Sequence, residues 1–206
     1  VDRMNFDKAQ RAKYLNPAKK LGYETKIIVK HESLRTCMER IEKRENHETI
    51  KDAATGRKVL HFFFNKYERP TPDEADHIQF MYPPGDKPAA IICDLDGTLC
   101  NVEHRRHFVR REGKKDWRGF FLGLSDDTIN VWCELMLDAF RDQGLSIVLA
   151  SGRSDDYEKL TREWLNRHDV EFDDLFMRQR GDSRQDYIAK EIILDFEILT
   201  RYTPVV

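Results

Sequence analysis

The stretch "AAIICDLDGTLC", residues 89–100, constrains this chain more than any other. An apolar, isoleucine-containing run ends in two aspartates one residue apart, Asp94 and Asp96, with Gly97 and Thr98 directly behind them. A short apolar run bounded by turn residues reads as a buried strand. Along a strand, residues i and i+2 point the same way, so both carboxylates can face one site. That site would lie beyond the strand's carboxyl end, where parallel α/β sheets collect their reactive groups. Two adjacent carboxylates repel unless a proton or a cation holds them, and oxygen ligands suit a hard divalent ion such as Mg²⁺. Gly97 lets backbone come close to a ligand, and Thr98 adds a hydroxyl.

Beyond this stretch the chain alternates in the way such a strand requires. "SIVLAS" reads as a second strand, ending in Ser151 and Gly152; "DLFMRQ" reads as a third, and "PVV" opens a fourth. Between them lie helical patterns: "INVWCELMLDAFRDQ", capped by Asp126 or Asp127, "YEKLTREWLNRH", opened by Asp155 or Asp156, and "DYIAKEIILDFEIL". Strands alternating with helices predict a parallel sheet with helices on both faces, so the fold class is α/β. Pro70, Pro72, Pro83, Pro84 and Pro88 mark residues 70–88 as a linker, because proline removes donors and interrupts regular structure. Residues 1–69 precede it. They comprise a helix in "FDKAQRAKYLNPAKKLGY" with Gly22 near its end, a strand "ETKIIV", and a Ser33-capped helix "LRTCMERIEKRE". That fragment is small for a core of its own.

Composition excludes more than it identifies. Hydrophobic residues make up 40% of the chain, yet no run approaches the roughly 18 apolar residues of a membrane helix. No membrane partner is expected, and no leader pattern suggests secretion. Cys37, Cys93, Cys100 and Cys133 are scattered without a CxxC pair, which predicts reduced thiols and a cytoplasmic setting. The chain starts at Val1 and stops after the apolar "YTPVV", so both ends are expected to lie inside larger elements. A net charge of −2 hides a basic block: "HRRHFVRREGKKDWR", residues 104–118, holds seven Lys or Arg against two acids, with Phe108 and Trp117 among them. Basic residues with aromatic neighbours suit a phosphate backbone and stacked bases. His104 and His107 lack a Cys or acidic partner at metal-ligand spacing.

"DLDGT" after an apolar strand resembles motif one of the haloacid-dehalogenase (HAD) superfamily of phosphotransferases. "SGR" at 151–153 resembles motif two, and Lys190, on a helix after a third strand-like run, resembles motif three. The resemblance implies a HAD-like Rossmannoid sheet over residues 89–206 with a small cap insertion at about 101–145. It implies that Asp94 is the nucleophile and that Asp96 is the acid–base residue, its pKa raised by the neighbouring carboxylate. Ser151 would hydrogen-bond a phosphoryl oxygen, with Thr98 and Gly152 on the same substrate-binding face, and Lys190 would neutralise charge during transfer. Mg²⁺ would sit on the Asp94 carboxylate and the Asp96 main-chain carbonyl. The pattern places a further acidic ligand just past Val206, so this chain by itself is expected to hold Mg²⁺ poorly.

At finer detail the order "CDLDGTL", basic arm, "SDDTINVWCELM", "SIVLASGR", "LTREWL" and "MRQRGDSRQDYIAKE" resembles the phosphatase half of phage-type polynucleotide kinase/phosphatases. That resemblance implies hydrolysis of 3′-phosphate ends of DNA or RNA for end repair, in a host cytoplasm if phage-encoded. Arg105 and Arg153 would contact the substrate phosphate, and Asp186 would orient Lys190. Residues 1–69 are similar to the tail of that family's P-loop kinase domain, where Arg40 and Arg44, one helical turn apart, would hold nucleotide phosphates. No GxxxxGK[ST] occurs, so kinase activity is not expected. Two other functions fit the residues: a HAD phosphatase of a small metabolite or nucleotide, and an inactive nucleic-acid-binding fragment. Homo-oligomerisation is compatible with either.

Overall fold

The computed structural model describes residues 4–44, 50, 52–110, 112, 113 and 115–205. The chain divides between Pro84 and Gly85 into two compact units.

In the first unit, α1 (Lys8–Lys20) starts where the Asp7 carboxylate accepts the Gln10 N–H, and it runs into Gly22 at φ +77°. β1 (Lys26–Lys30) leads to Ser33, whose hydroxyl accepts the Thr36 N–H and caps α2 (Leu34–Lys43). A further helix, α3 (Ala53–Lys66), is capped by Asp52 and was not expected from the sequence. Its Gly56 lets α2 come close, since a Cβ there would stand 2.5 Å from Ile41 Cγ2. β2 (His77–Met81) pairs parallel with β1, with Lys26 opposite His77. This corrects the expected linker at 70–88: its prolines bracket residues 73–82, and that proline-free stretch keeps the donors needed to pair with β1.

The second unit begins with β3 (Ala89–Cys93), the predicted buried strand. A short hairpin of β4 (Cys100–Asn101) and β5 (Thr128–Ile129) encloses α4 (His107–Arg110) and α5 (Trp117–Leu122). Next come α6 (Val131–Asp142), β6 (Ser146–Ser154), α7 (Glu158–Arg167), β7 (Asp174–Arg178), α8 (Asp186–Ile193) and β8 (Thr203–Pro204). Among the described residues, four strands form a parallel sheet in the order β7-β6-β3-β8. Alternation splits its side chains between two cores. Ile91, Cys93, Ile147 and Leu149 pack with Leu137, Trp164 and Leu165 of α6 and α7. Ala90, Val148 and Ala150 pack with Phe176 and with Ile193 of α8. Helices therefore cover both faces, as α/β alternation requires. Each of the fully buried Leu and Ile side chains is worth about 1.5–3 kcal/mol. No helix among the described residues is long and apolar enough to cross a membrane.

Three local expectations change. The stretch expected as a cap insertion, about 101–145, takes in α6, which buries Cys133 and Leu137 in the sheet's own core alongside Phe120 and Leu124 from between β4 and β5. Asn130, not Asp126 or Asp127, precedes α6. Ser154 accepts the Asp156 N–H and caps a single 3₁₀ turn, Asp155–Tyr157, ahead of α7.

Candidate active site

β3 and β6 lie side by side, with Cys93 opposite Leu149, so Asp94 and Ser151 emerge at the same end of the sheet. The loop carrying the aspartates is clamped by its own backbone: Leu99 N–H donates to the Asp94 carbonyl at 3.3 Å and Cys100 N–H to Leu95 at 2.8 Å. Leu95, Leu99 and Cys100 are fully buried beneath it. Gly97 turns the loop at φ +86°, a backbone shape that disfavours a side chain. On β6 the register slips between Ser151, opposite Met177, and Ser154, opposite Arg178. Such a bulge re-aims side chains. Here Arg153 turns in under the loop, while Gly152 lies against the Asp186 carboxylate.

The two aspartates have opposite surroundings. Asp94 meets Lys190, whose Nζ is 3.0 Å from Asp94 Oδ2 and 3.0 Å from Asp186 Oδ2. Asp186 and Lys190 sit one turn apart on α8, the spacing at which helical side chains meet. Arg178 holds Asp186 from the other side at 3.0 Å and donates to the Arg184 carbonyl at 2.8 Å. Asp96 instead meets two guanidiniums. Arg153 Nη2 and Arg105 Nη2 each lie 2.6 Å from Asp96 Oδ1. Behind them Asp127 accepts Arg105 Nε at 2.6 Å and Nη2 at 2.5 Å, and its Oδ1 is 2.9 Å from His104 Nε2. The side chains of Arg105, Arg153 and Asp127 are fully buried, whereas 23% of the Asp96 side chain stays exposed.

Burial pushes the Asp94 carboxyl up, only partly offset by the charge of Lys190. Burial also pushes Asp96 up, but hydrogen bonds and charge from Arg153, then Arg105, outweigh it and hold Asp96 below the usual carboxylate range. This reverses the expectation that Asp96 is the raised member of the pair. The raised member is Asp94, through burial first, with the Asp96 charge adding a smaller push. Burial pulls Lys190 down, yet Asp94 and Asp186 more than compensate and keep it raised, hence charged.

Asp94, Asp96, Gly152, Asp186 and Lys190 share one cavity of about 800 Å³. Ser151 does not line it: the residue is fully buried and its hydroxyl accepts the Arg153 N–H at 3.2 Å. Thr98 shapes the loop through its main chain, donating to Leu95 and accepting the Asn130 side chain at 2.6 Å. Arg105 and Arg153, expected to contact substrate phosphate, spend their donors on Asp96 and Asp127 behind the cavity. In the first unit Arg40 pairs with Glu32 at 2.6 Å. Arg44 lies past the end of α2 with extended backbone, so the two do not stand one helical turn apart. Sequence reasoning missed Asp127, which reads as a helix cap, and Arg178, whose signal is a lone charge ending the apolar "DLFM".

The donors present suit Mg²⁺, which takes one or two carboxylates and fills its shell with water and substrate phosphate. The Asp94 carboxylate, raised by burial, gains from a nearby cation, and the Asp96 main-chain carbonyl is a second oxygen on the same loop. Among the described residues, no group of three or more His, Cys, Asp or Glu gathers as a metal site.

Residues 88–206 match the family described as "Polynucleotide kinase PNKP phosphatase domain". A relative named as a bifunctional polynucleotide kinase/RNA ligase of Autographa californica nuclear polyhedrosis virus is 30% identical over 179 residues. That match takes in 82% of this chain but 22% of the relative, so the chain spans about a fifth of the relative's length. Among solved structures, one of the Pnkp1/Rnl/Hen1 RNA repair complex aligns with a TM-score of 0.47 at 24% identity, over 84% of this chain and 53% of that one. Another, of the Pnkp1/Rnl/Hen1 complex, aligns at 0.48 and 18% identity, over 95% of this chain and 84% of that one. Because that family match runs over residues 88–206, more than half of the chain, the chain belongs to the family of polynucleotide kinase PNKP phosphatase domains.

Proposed function

We infer that this chain hydrolyses the 3′-phosphate ends of DNA or RNA with Mg²⁺, as the phosphatase part of a nucleic-acid end-repair enzyme. The observation that carries the reading is the contrast between Asp94, paired with a single lysine at the cavity, and Asp96, gripped by two buried arginines beside it. Asp94 attacks phosphorus, the ester P–O bond breaks, and the phosphoryl group passes to the Asp94 carboxylate. Asp96 gives a proton to the departing 3′-oxygen, then takes one from the water that attacks the aspartyl-phosphate, releasing phosphate and restoring both groups. The arginines favour the second half of that cycle, since they hold Asp96 ionised. In the first half the negative charge of the incoming phosphate opposes them and lets Asp96 carry the proton.

Lys190 faces the phosphoryl oxygens as charge builds on them, and Asp186 with Arg178 keeps its ammonium in place. Asp94 and the Asp96 main-chain carbonyl would hold Mg²⁺, which supplies charge neutralisation between nucleophile and phosphate. Arg105 and Arg153 fix the acid–base carboxylate, and the Ser151 hydroxyl accepts the Arg153 N–H within the β6 bulge.

The test is phosphate release from a 3′-phosphorylated oligonucleotide, a nucleoside 3′-monophosphate and a sugar phosphate, each in saturating Mg²⁺. The oligonucleotide is expected to be turned over best, with kcat/KM falling as salt rises. Equal or faster release from the sugar phosphate would assign the chain to small metabolites. Oligonucleotide binding without release would make it a binding fragment.

A further inference from the structure

An ordinary ligand cleft measures about 300–1,000 Å³, so the cavity of about 800 Å³ beside Asp94 has room for far more than a phosphoryl group. Part of its wall is aromatic: Trp117, Phe120 and Phe121 of α5 line it together with Arg106 and Lys115. Trp117 keeps half of its surface open, at 50%, whereas Trp164 in the sheet's core is 1% exposed. One side of the indole is fixed by protein. The Phe121 ring lies 6.0 Å away and 24° from parallel, the Phe120 ring meets it edge-on, and Phe121 leans in turn on Tyr157 at 4.9 Å. The Lys115 ammonium lies over the indole, 5.6 Å from the ring centre.

We propose that Trp117 is a base-stacking platform: the terminal base of a polynucleotide lies on its open face while the 3′-phosphate reaches Asp94. The inference rests on the phosphatase reading above and names the subsite that would make its substrate a nucleotide end. A cation over an exposed ring is weakly held compared with a stacked base, so an entering base displaces the Lys115 ammonium. Lys115 and Arg106 then remain on the wall for a backbone phosphate. The platform is indexed to the chemistry through contacts already present. Phe120 carries the Arg105 guanidinium 4.1 Å above its ring, and Arg105 grips Asp96 at 2.6 Å. Because every base has a π-face, such a site selects for the presence of a base and not for its identity.

The test compares the whole chain and its Trp117→Ala and Trp117→Phe variants on oligonucleotides ending in a 3′-phosphate on either a normal or an abasic terminal residue. Wild type is expected to favour the base-bearing end by about tenfold in kcat/KM, through KM. Trp117→Ala loses that preference, and Trp117→Phe, which keeps a ring against Phe121, retains most of it. A preference surviving in Trp117→Ala, or none in wild type, overturns the platform while leaving phosphate release intact. If no 3′-end is hydrolysed at all, the phosphatase reading fails separately. The platform is then judged by tryptophan fluorescence of the Asp94→Asn protein titrated with the same oligonucleotides. Quenching by the base-bearing end that disappears with Trp117→Phe supports it; equal quenching by both ends, or none, refutes it.

Discussion

Both units of this molecule bury an arginine against a carboxylate, and the two centres do different things. In the first unit Arg11 Nε and Nη2 grip Glu74 at 2.7 and 2.9 Å, and Arg11 Nη1 donates to the carbonyls of Asn5 and Glu68. Glu74 also accepts the Thr71 N–H, and its side chain is 3% exposed. That circuit is closed: it stitches segments around α1 together and presents no charge to a ligand. In the second unit Arg105 and Arg153 make the same kind of bond to Asp127, but share themselves with Asp96, which opens onto the cavity. Buried ion pairs therefore say little about function by themselves. What marks the second centre is one member left at the edge of a space that can hold a substrate.

The contrast can be broken at five positions, taken from the largest expected effect downward. Asp94→Asn removes the carboxylate that the open centre flanks, and phosphate release should fall by about a thousandfold or more. An unchanged rate would show that the open centre flanks nothing reactive. Lys190→Met should lower kcat about a hundredfold and displace the acid limb of the pH profile. Asp94 must be ionised to attack, burial raises its pKa, and Lys190 opposes that rise. The acid limb is thus expected to move to higher pH once Lys190 is gone. A limb that stays put or moves to lower pH would contradict the assignment.

Arg11→Met and Arg153→Met sharpen the comparison directly. Arg11→Met leaves the buried Glu74 without its arginine and should lower unfolding stability by about 3–5 kcal/mol, whereas Arg153→Met leaves Arg105 on both Asp96 and Asp127 and should cost less. Assayed at a temperature where both remain folded, the Arg153 variant should lose phosphatase activity beyond its loss of stability, and the Arg11 variant should not. Equal behaviour would reduce the second centre to scaffolding. Gly152→Ala is the mildest change. The new methyl would overlap the Asp186 carboxylate, whose exposed end can swing aside, away from Lys190 and Arg178. A decrease of about tenfold in kcat with little change in thermal unfolding is expected; a stable variant of full activity would mean that Asp186 does not orient the lysine.

Much of the fold and the heart of the site are legible in the sequence because their signals are local. β3 runs straight into Asp94 and Asp96, Asp186 and Lys190 share one helical face, and the alternation of elements predicts the parallel sheet. What escapes depends on distance along the chain. Arg153 reaches Asp96 across 57 residues and Arg105 reaches Asp127 across 22, so the depressed pKa of Asp96 cannot be read from "DLDGT". Asp127 resembles a cap because a turn-forming aspartate ahead of a helix usually is one. β2 is hidden by its flanking prolines and becomes a strand only through its partner β1. Ser151 sits where its motif places it, and only the β6 bulge reveals that its hydroxyl faces the Arg153 backbone.

The most direct test of the account is rapid acid quenching of the enzyme during turnover of an oligonucleotide bearing a radiolabelled 3′-phosphate, followed by peptide mass mapping. The account predicts a labelled phosphoryl group on the Asp94 side chain, chased to free phosphate as turnover proceeds. Label on any other residue, or steady release with no labelled protein at any quench time, would contradict it.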